Sequence, residues 1–174
     1  MTFDLQKSLD VLERTPAVLN SLLRNLSDDW ILANEGDDTW NAFDIVGHLI
    51  HGEKTDWIPR MEKILSDQED KTFEPFDRFA QFEASKGKRL EELLDEFSAL
   101  RKRNLEVVRT KNLTQKDFSK TGIHPVFGAV TLSQLLATWV VHDLNHLSQI
   151  SRVMAKHYKY EVGPWIEFLG ILKT

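Results

Sequence analysis

Apolar residues recur at mixed three- and four-residue spacings through four long stretches of this chain, and no stretch sustains the alternation of a half-buried strand. A chain patterned in this way buries its apolar stripes by packing helix on helix, so the expected fold is all-α: a four-helix bundle with a long crossover. The first stretch covers about residues 3–26, with Leu5, Leu9, Leu12, Leu19 and Leu22 on its stripe. An acidic turn, "NEGDD", leads to the second, which opens at "WNAFD". There Asn41 is a good N-cap, Asp44 stands close to a capping-box position, and helix should run to about Ser66. Pro59 deprives the Thr55 carbonyl of its usual donor and predicts a kink.

A polar crossover, "DQEDKTFEPF", separates this from a third stretch of about Asp77 to Lys111. The loop "KTGIHPVFGAV" is punctuated by proline and glycine, and Val130 or Thr131 then opens a fourth helix ending near His157. The apolar end, "WIEFLGIL", is expected to dock at least partly on the bundle, a second subunit being the alternative. The 174 residues are read as one domain, 1–174.

A net charge of −5 argues against a nucleic-acid-binding surface. The basic run "RKRN" (101–104) sits among Glu91, Glu92, Asp95, Glu96 and Glu106 and is read as a solvated mixed-charge face. With no cysteine, disulfides are excluded and any metal must be held by nitrogen and oxygen. The N-terminus lacks the features of a signal peptide, and no apolar run approaches the roughly 20 residues of a membrane span. A soluble, cytoplasmic protein is the expectation. No glycine-rich phosphate loop and no arginine cluster points to a nucleotide.

The unusual stretch is "VVHDLNHLSQI" (140–150). On a helical wheel His146 lies within the arc of Leu135, Trp139, Ile150 and Val153, and His142 lies about 40° away at its edge. Side chains four residues apart on one face can converge on a metal. In the second helix His48 lies beside the large apolar residues, with small Gly52 and Thr55 nearby, whereas His51 lies about 60° further towards solvent. Two readings stand at this point: hydrogen-bonded core histidines, or ligands of a cation with Asp143 or Gln149 holding their ring N–H groups. The spacing also invites comparison with the HExxH zinc helix. "HDLNH" has aspartate where those proteases need glutamate, and Glu161 or Glu167 would have to serve as third ligand.

"WNAFDIVGHL" on the second helix, followed by "HPVFGAVTLSQLLATWVVHDLNHLSQISRVMA", resembles the DinB-like (damage-inducible) family of metal-binding four-helix bundles. The resemblance covers nearly the whole chain. It implies a bacterial protein, in many members a homodimer, whose His48, His142 and His146 bind a divalent metal such as zinc or nickel, with manganese and iron as alternatives. His51 is not part of that triad; a fourth ligand, a proton shuttle and a surface residue are its alternatives. For His124 the alternatives are a residue overhanging the site and a purely structural one, Glu53 is poorly placed to ligate, and His157 is too far along the helix.

The resemblance further implies a small-molecule substrate and a thiol S-transferase reaction, with a low-molecular-weight thiol such as bacillithiol or mycothiol. Maleylpyruvate isomerases are related. Hydrolysis by metal-bound hydroxide is the alternative. A non-catalytic metal-binding or dimerising scaffold is the competing class. Catalysis predicts an open pocket above the triad with a further polar group; a scaffold predicts a closed site.

Overall fold

In a computed structural model that describes residues 3–36 and 38–173, the four apolar stretches form the bundle, two of them interrupted where proline breaks the backbone ladder. Met1 and Thr2 of the N-terminal stretch, Asp37 of the acidic turn, and Thr174 lie outside the described residues. The first stretch is two helices, α1 (Leu5–Leu12) and α2 (Thr15–Leu23), rather than one over 3–26. Pro16 has no amide hydrogen to offer the Leu12 carbonyl, and Arg101 Nη1 donates to that oxygen instead at 2.8 Å.

A short α3 (Asp28–Ile31) leads to α4 (Ala42–Thr55), where Asn41 and Asp44 close their capping box with mutual backbone–side-chain hydrogen bonds of 2.9 and 3.2 Å. The helix breaks at Asp56, three residues before Pro59, and resumes as α5 (Trp57–Leu65), so the expected kink is present. The freed Glu53 carbonyl accepts from Asn104 Nδ2 at 2.8 Å. The third stretch begins later than its composition suggests. A separate α6 (Ala80–Ser85) is followed by Gly87 at φ +76°, and α7 spans Leu90–Thr110.

The loop before the last helix pairs with itself, which corrects the expectation of a chain without strands. Strands β1 (Thr121–His124) and β2 (Gly128–Thr131) are antiparallel, Thr121 opposite Thr131 and His124 opposite Gly128. Residues 71–73 of the crossover lie along β1: the Ile123 amide donates to Lys71 O at 2.9 Å and the Phe73 amide to Ile123 O at 2.8 Å. A side chain at Gly122 would meet the Phe73 ring at 2.4 Å, so this close approach needs glycine. Thr131 then caps α8 (Leu132–Lys156), the longest helix described. Beyond it run 3-10 turns over Gly163–Phe168 and Gly170–Leu172. Leu172 is buried against the bundle and Ile166 and Leu169 are half-buried, but Trp165 and Phe168 stay exposed at 69% and 87%, so the apolar tail packs in part. Among the described residues no helix is long and apolar enough to cross a membrane.

Two apolar clusters stack along the bundle, one including Leu19, Leu49, Phe97 and Ile150, the other Leu12, Trp57, Val108 and Trp139. Between them each helical stretch contributes buried polar groups: Thr15, Glu53, Arg101, Asn104 and Asp143. The reading of "RKRN" as a solvated face is therefore corrected in half. Lys102 and Arg103 are exposed, whereas Arg101 and Asn104, three apart, fall on the buried stripe of α7.

Candidate metal centre and its cavity

Helix α4 supplies His48, and α8 supplies His142 and His146 from one face. One ring nitrogen from each lies within 4.8 Å of the others. The Nε2 atoms of His48 and His142 are 3.0 Å apart. His146 Nδ1 lies 2.8 Å from Gln149 Oε1, the arrangement in which that ring donates to the amide and keeps its Nε2 lone pair free. Gln149 thus stands where a holder of a ligand's N–H group should.

Asp143 does not. It lies one residue from His142, about 100° around the helix, and that rotation turns it away from the imidazoles. Its carboxylate accepts from Arg101 Nη1 and Nη2 at 2.6 and 3.0 Å and from Thr15 Oγ1 at 2.6 Å. Glu53 enters the same layer, accepting from Arg101 Nη2 at 2.8 Å, Asn104 Nδ2 at 2.9 Å and Trp139 Nε1 at 3.0 Å. Burial raises the Glu53 pKa while Arg101 opposes the rise. This layer ties α4 and α8, the two helices bearing the histidines, to one guanidinium on α7.

Burial pushes the pKa values of His48 and His142 down to about 3, assisted by His146 nearby. His146 is lowered too, by burial, against its bond to Gln149 and the charge of Asp143. All three rings are therefore neutral at ordinary pH and present lone pairs rather than charges. The Nδ1 atoms of His48 and His142 are buried without a hydrogen-bond partner. Three converging imidazoles, each with one lone-pair nitrogen, suit a divalent cation of borderline softness.

His51 takes no part in this cluster. It lies against the Phe76 ring, centroids 4.9 Å apart, with its pKa lowered chiefly by burial. His157 packs on Trp30, remote from the triad. Thr55 turns back to bond the His51 carbonyl, while Gly52 leaves space.

That space is a cavity of about 300 Å³ with His48 and His142 in its wall. The kink at Asp56 carries Asp56, Trp57 and Arg60 to it, the crossover adds Phe73 and Phe76, and the hairpin adds His124 and Phe127. Asp56 and Arg60 are an ion pair, Oδ1 to Nε 2.6 Å. Burial raises the Asp56 pKa to about 6 against the pull of Arg60. His124, placed in the loop by sequence, does line the cavity. Its Nδ1 accepts from the amides of Val126 and Phe127 at 3.1 and 3.3 Å, so the neutral ring carries its proton on Nε2. Sequence reasoning missed Asp56 and Arg60. Their only signal was an acid and a base four apart, flanking a proline inside an apolar helix.

Comparison with known proteins adds family and fold. No curated protein sequence matches the chain. The structure is similar to that of YfiT from Bacillus subtilis, described as a probable metal-dependent hydrolase with an unusual four-helix bundle topology, at a TM-score of 0.74 and 24% identity, over 87% of this chain and 86% of that one. At that identity the likeness extends to the fold. Residues 11–150 match the sequence model of the DinB superfamily, a span that includes all three histidines. The chain belongs to the DinB superfamily.

Proposed function

We propose that this protein is a divalent-metal-dependent enzyme that hydrolyses a small, largely apolar molecule, with His48, His142 and His146 as metal ligands. The observation that carries the reading is that two of the three neutral imidazoles form part of the wall of an open cavity containing further polar groups. A purely structural zinc site is closed by four protein ligands; among the described residues this cluster offers three. A divalent cation held there supplies a Lewis acid that ionises a water or a thiol near neutral pH.

The chain's own groups have separable tasks. Gln149 Oε1 holds the proton at His146 Nδ1 and so orients that ring. Trp57 packs edge-on to His142, centroids 5.1 Å apart, and Phe76 edge-on to His48 at 5.5 Å, which keeps bulk water from those sides of the rings. Asp56, with a pKa near 6, can hold or release a proton within the cavity.

Hydrolysis is favoured over S-transfer because a cavity of about 300 Å³ is at the small end for ligand sites. One substrate and a water fit that space more readily than a substrate and a thiol cofactor. The description of YfiT as a probable metal-dependent hydrolase agrees with this choice. S-transfer is the second reading. A shallow groove on the outer side of α8, lined by Ala137, Val141 and Asn145, also reaches His142 and offers a second seat.

Elemental analysis of untagged protein by mass spectrometry tests the metal first: about one ion per chain, lost in His48→Ala and in His142→Ala. Absence of metal after exposure to zinc, nickel, manganese and iron overturns the reading. The loaded protein is then assayed on uncharged aryl esters and amides, and separately on electrophiles with added thiols. Turnover confined to the thiol assay replaces hydrolysis by S-transfer.

A further inference from the structure

The side chains that the protein itself brings to the cavity carry charge in only one place. Asp56 and Arg60 are 7% and 9% exposed and, among the described residues, are the only ones of its wall with carboxylate or guanidinium side chains, and they neutralise each other. The histidines of the wall are uncharged: burial lowers His48 and His142, and burial with the nearby Arg60 charge lowers His124. The wall is therefore net neutral but strongly dipolar at one spot.

That spot has unused capacity. The Asp56–Arg60 contact engages Oδ1 and Nε. Asp56 Oδ1 is buried without a hydrogen-bond partner although Arg60 Nε lies 2.6 Å from it, and among the described residues neither Asp56 Oδ2 nor the terminal nitrogens of Arg60 are given a hydrogen bond. A carboxylate has free acceptor positions and a guanidinium free donors, side by side. Around them the wall is aromatic: Trp57, Phe73, Phe76 and Phe127, with the Arg60 guanidinium 5.2 Å from the Phe73 ring centre. Such walls favour a flat π-surface.

Resting on the reading of this cavity as the substrate site, we infer that it selects an uncharged aromatic molecule bearing one group that both donates and accepts hydrogen bonds, of the carboxamide type, which the Asp56–Arg60 pair reads. A carboxylate ligand gains Arg60 but meets Asp56, and an ammonium gains Asp56 but meets Arg60. Either brings an unbalanced charge into a buried site, which is costly. An amide N–H faces the carboxylate and its C=O the guanidinium, with no charge left over. The pair thus specifies what the substrate's non-reacting end looks like, and the triad acts at the other end.

Three matched probes test this: 2-naphthamide, 2-naphthoate and 2-naphthylmethylammonium. Their affinities for the full-length chain are measured by ligand-observed NMR at about pH 7.5, where Asp56 is ionised. The ranking is read in chelator-treated protein, so that no cation competes for the carboxylate, and is repeated with zinc. The amide is expected to bind at least about tenfold tighter than either charged probe. In Asp56→Asn the unopposed Arg60 should reverse the order, with naphthoate tightest. Arg60→Gln should lose amide affinity without gaining naphthoate. An unchanged order in Asp56→Asn overturns the inference, as does a wild type that prefers a charged probe or binds none of the three. The order can fail in protein that holds its metal, or hold in protein that takes none, so this inference and the metal-enzyme reading fail separately.

Discussion

Replacing Arg101 by methionine tests the polar layer beneath the triad. Among the described residues Arg101 is the only cation bonded to Glu53 and Asp143, and all three side chains are essentially buried. The cluster already has one carboxylate in excess, and the substitution leaves two with only neutral donors: Thr15 for Asp143, Asn104 and Trp139 for Glu53. Breaking a buried pair by removing one partner costs about 3–5 kcal/mol. Against a typical stability of about 5–15 kcal/mol this is a large fraction, and at about 2–4 °C per kcal/mol the melting temperature should fall by roughly 6–20 °C.

The loss should also depend on pH. Burial raises the Glu53 pKa and Arg101 restrains it. Without Arg101 it rises further, so the folded variant binds this proton more tightly than the unfolded chain does. Stability then falls as pH climbs from the unfolded value, about 4.3, through the raised folded one. The penalty relative to wild type should be smaller near about pH 5 than near about pH 8. Urea denaturation followed by circular dichroism at both pH values measures it. A loss below about 1 kcal/mol, or one no larger at the higher pH, refutes the dependence of these carboxylates on Arg101.

Two further substitutions probe the site and its cover. Gln149→Leu removes the acceptor at His146 Nδ1 and should weaken metal binding by about 10- to 100-fold in competition with a chromophoric chelator; an unchanged affinity means the ring needs no such support. Gly122→Ala drives a methyl to 2.4 Å from the Phe73 ring and 2.9 Å from Ile64 Cγ1, and should cost about 1–3 kcal/mol in thermal unfolding. No loss would mean that β1 can move off the crossover without penalty.

Much of this fold is local. Helix boundaries at Asn41 and Thr131 follow from caps, and the break before Pro59 from one missing amide hydrogen, all of which involve residues within four positions of each other. The face shared by His142 and His146 is equally local, since helical geometry alone places them together. Joining His48 to them drew on the resemblance of "WNAFDIVGHL" to a family motif, because periodicity says which side of a helix is buried but not which helix it meets.

What only the tertiary structure decided involves partners far apart in the chain. Arg101 reads as one member of a basic run until its partners, 48 positions before it and 42 after, converge on it. Asp143 looks like a neighbour of the histidines because it is next in sequence, yet helical rotation sends it to a different helix. Strands β1 and β2 are four residues each, too short to show alternation; they pair with each other, and the distant crossover adds hydrogen bonds to the other edge of β1. The Asp56–Arg60 pair acquires meaning only when Phe73 and the hairpin close a cavity around it. Sequence alone determined where the chain could be helical and which nitrogens could share a face. Long-range packing determined which charges are buried together, because the energy of a buried charge depends on what surrounds it and not on its neighbours along the chain.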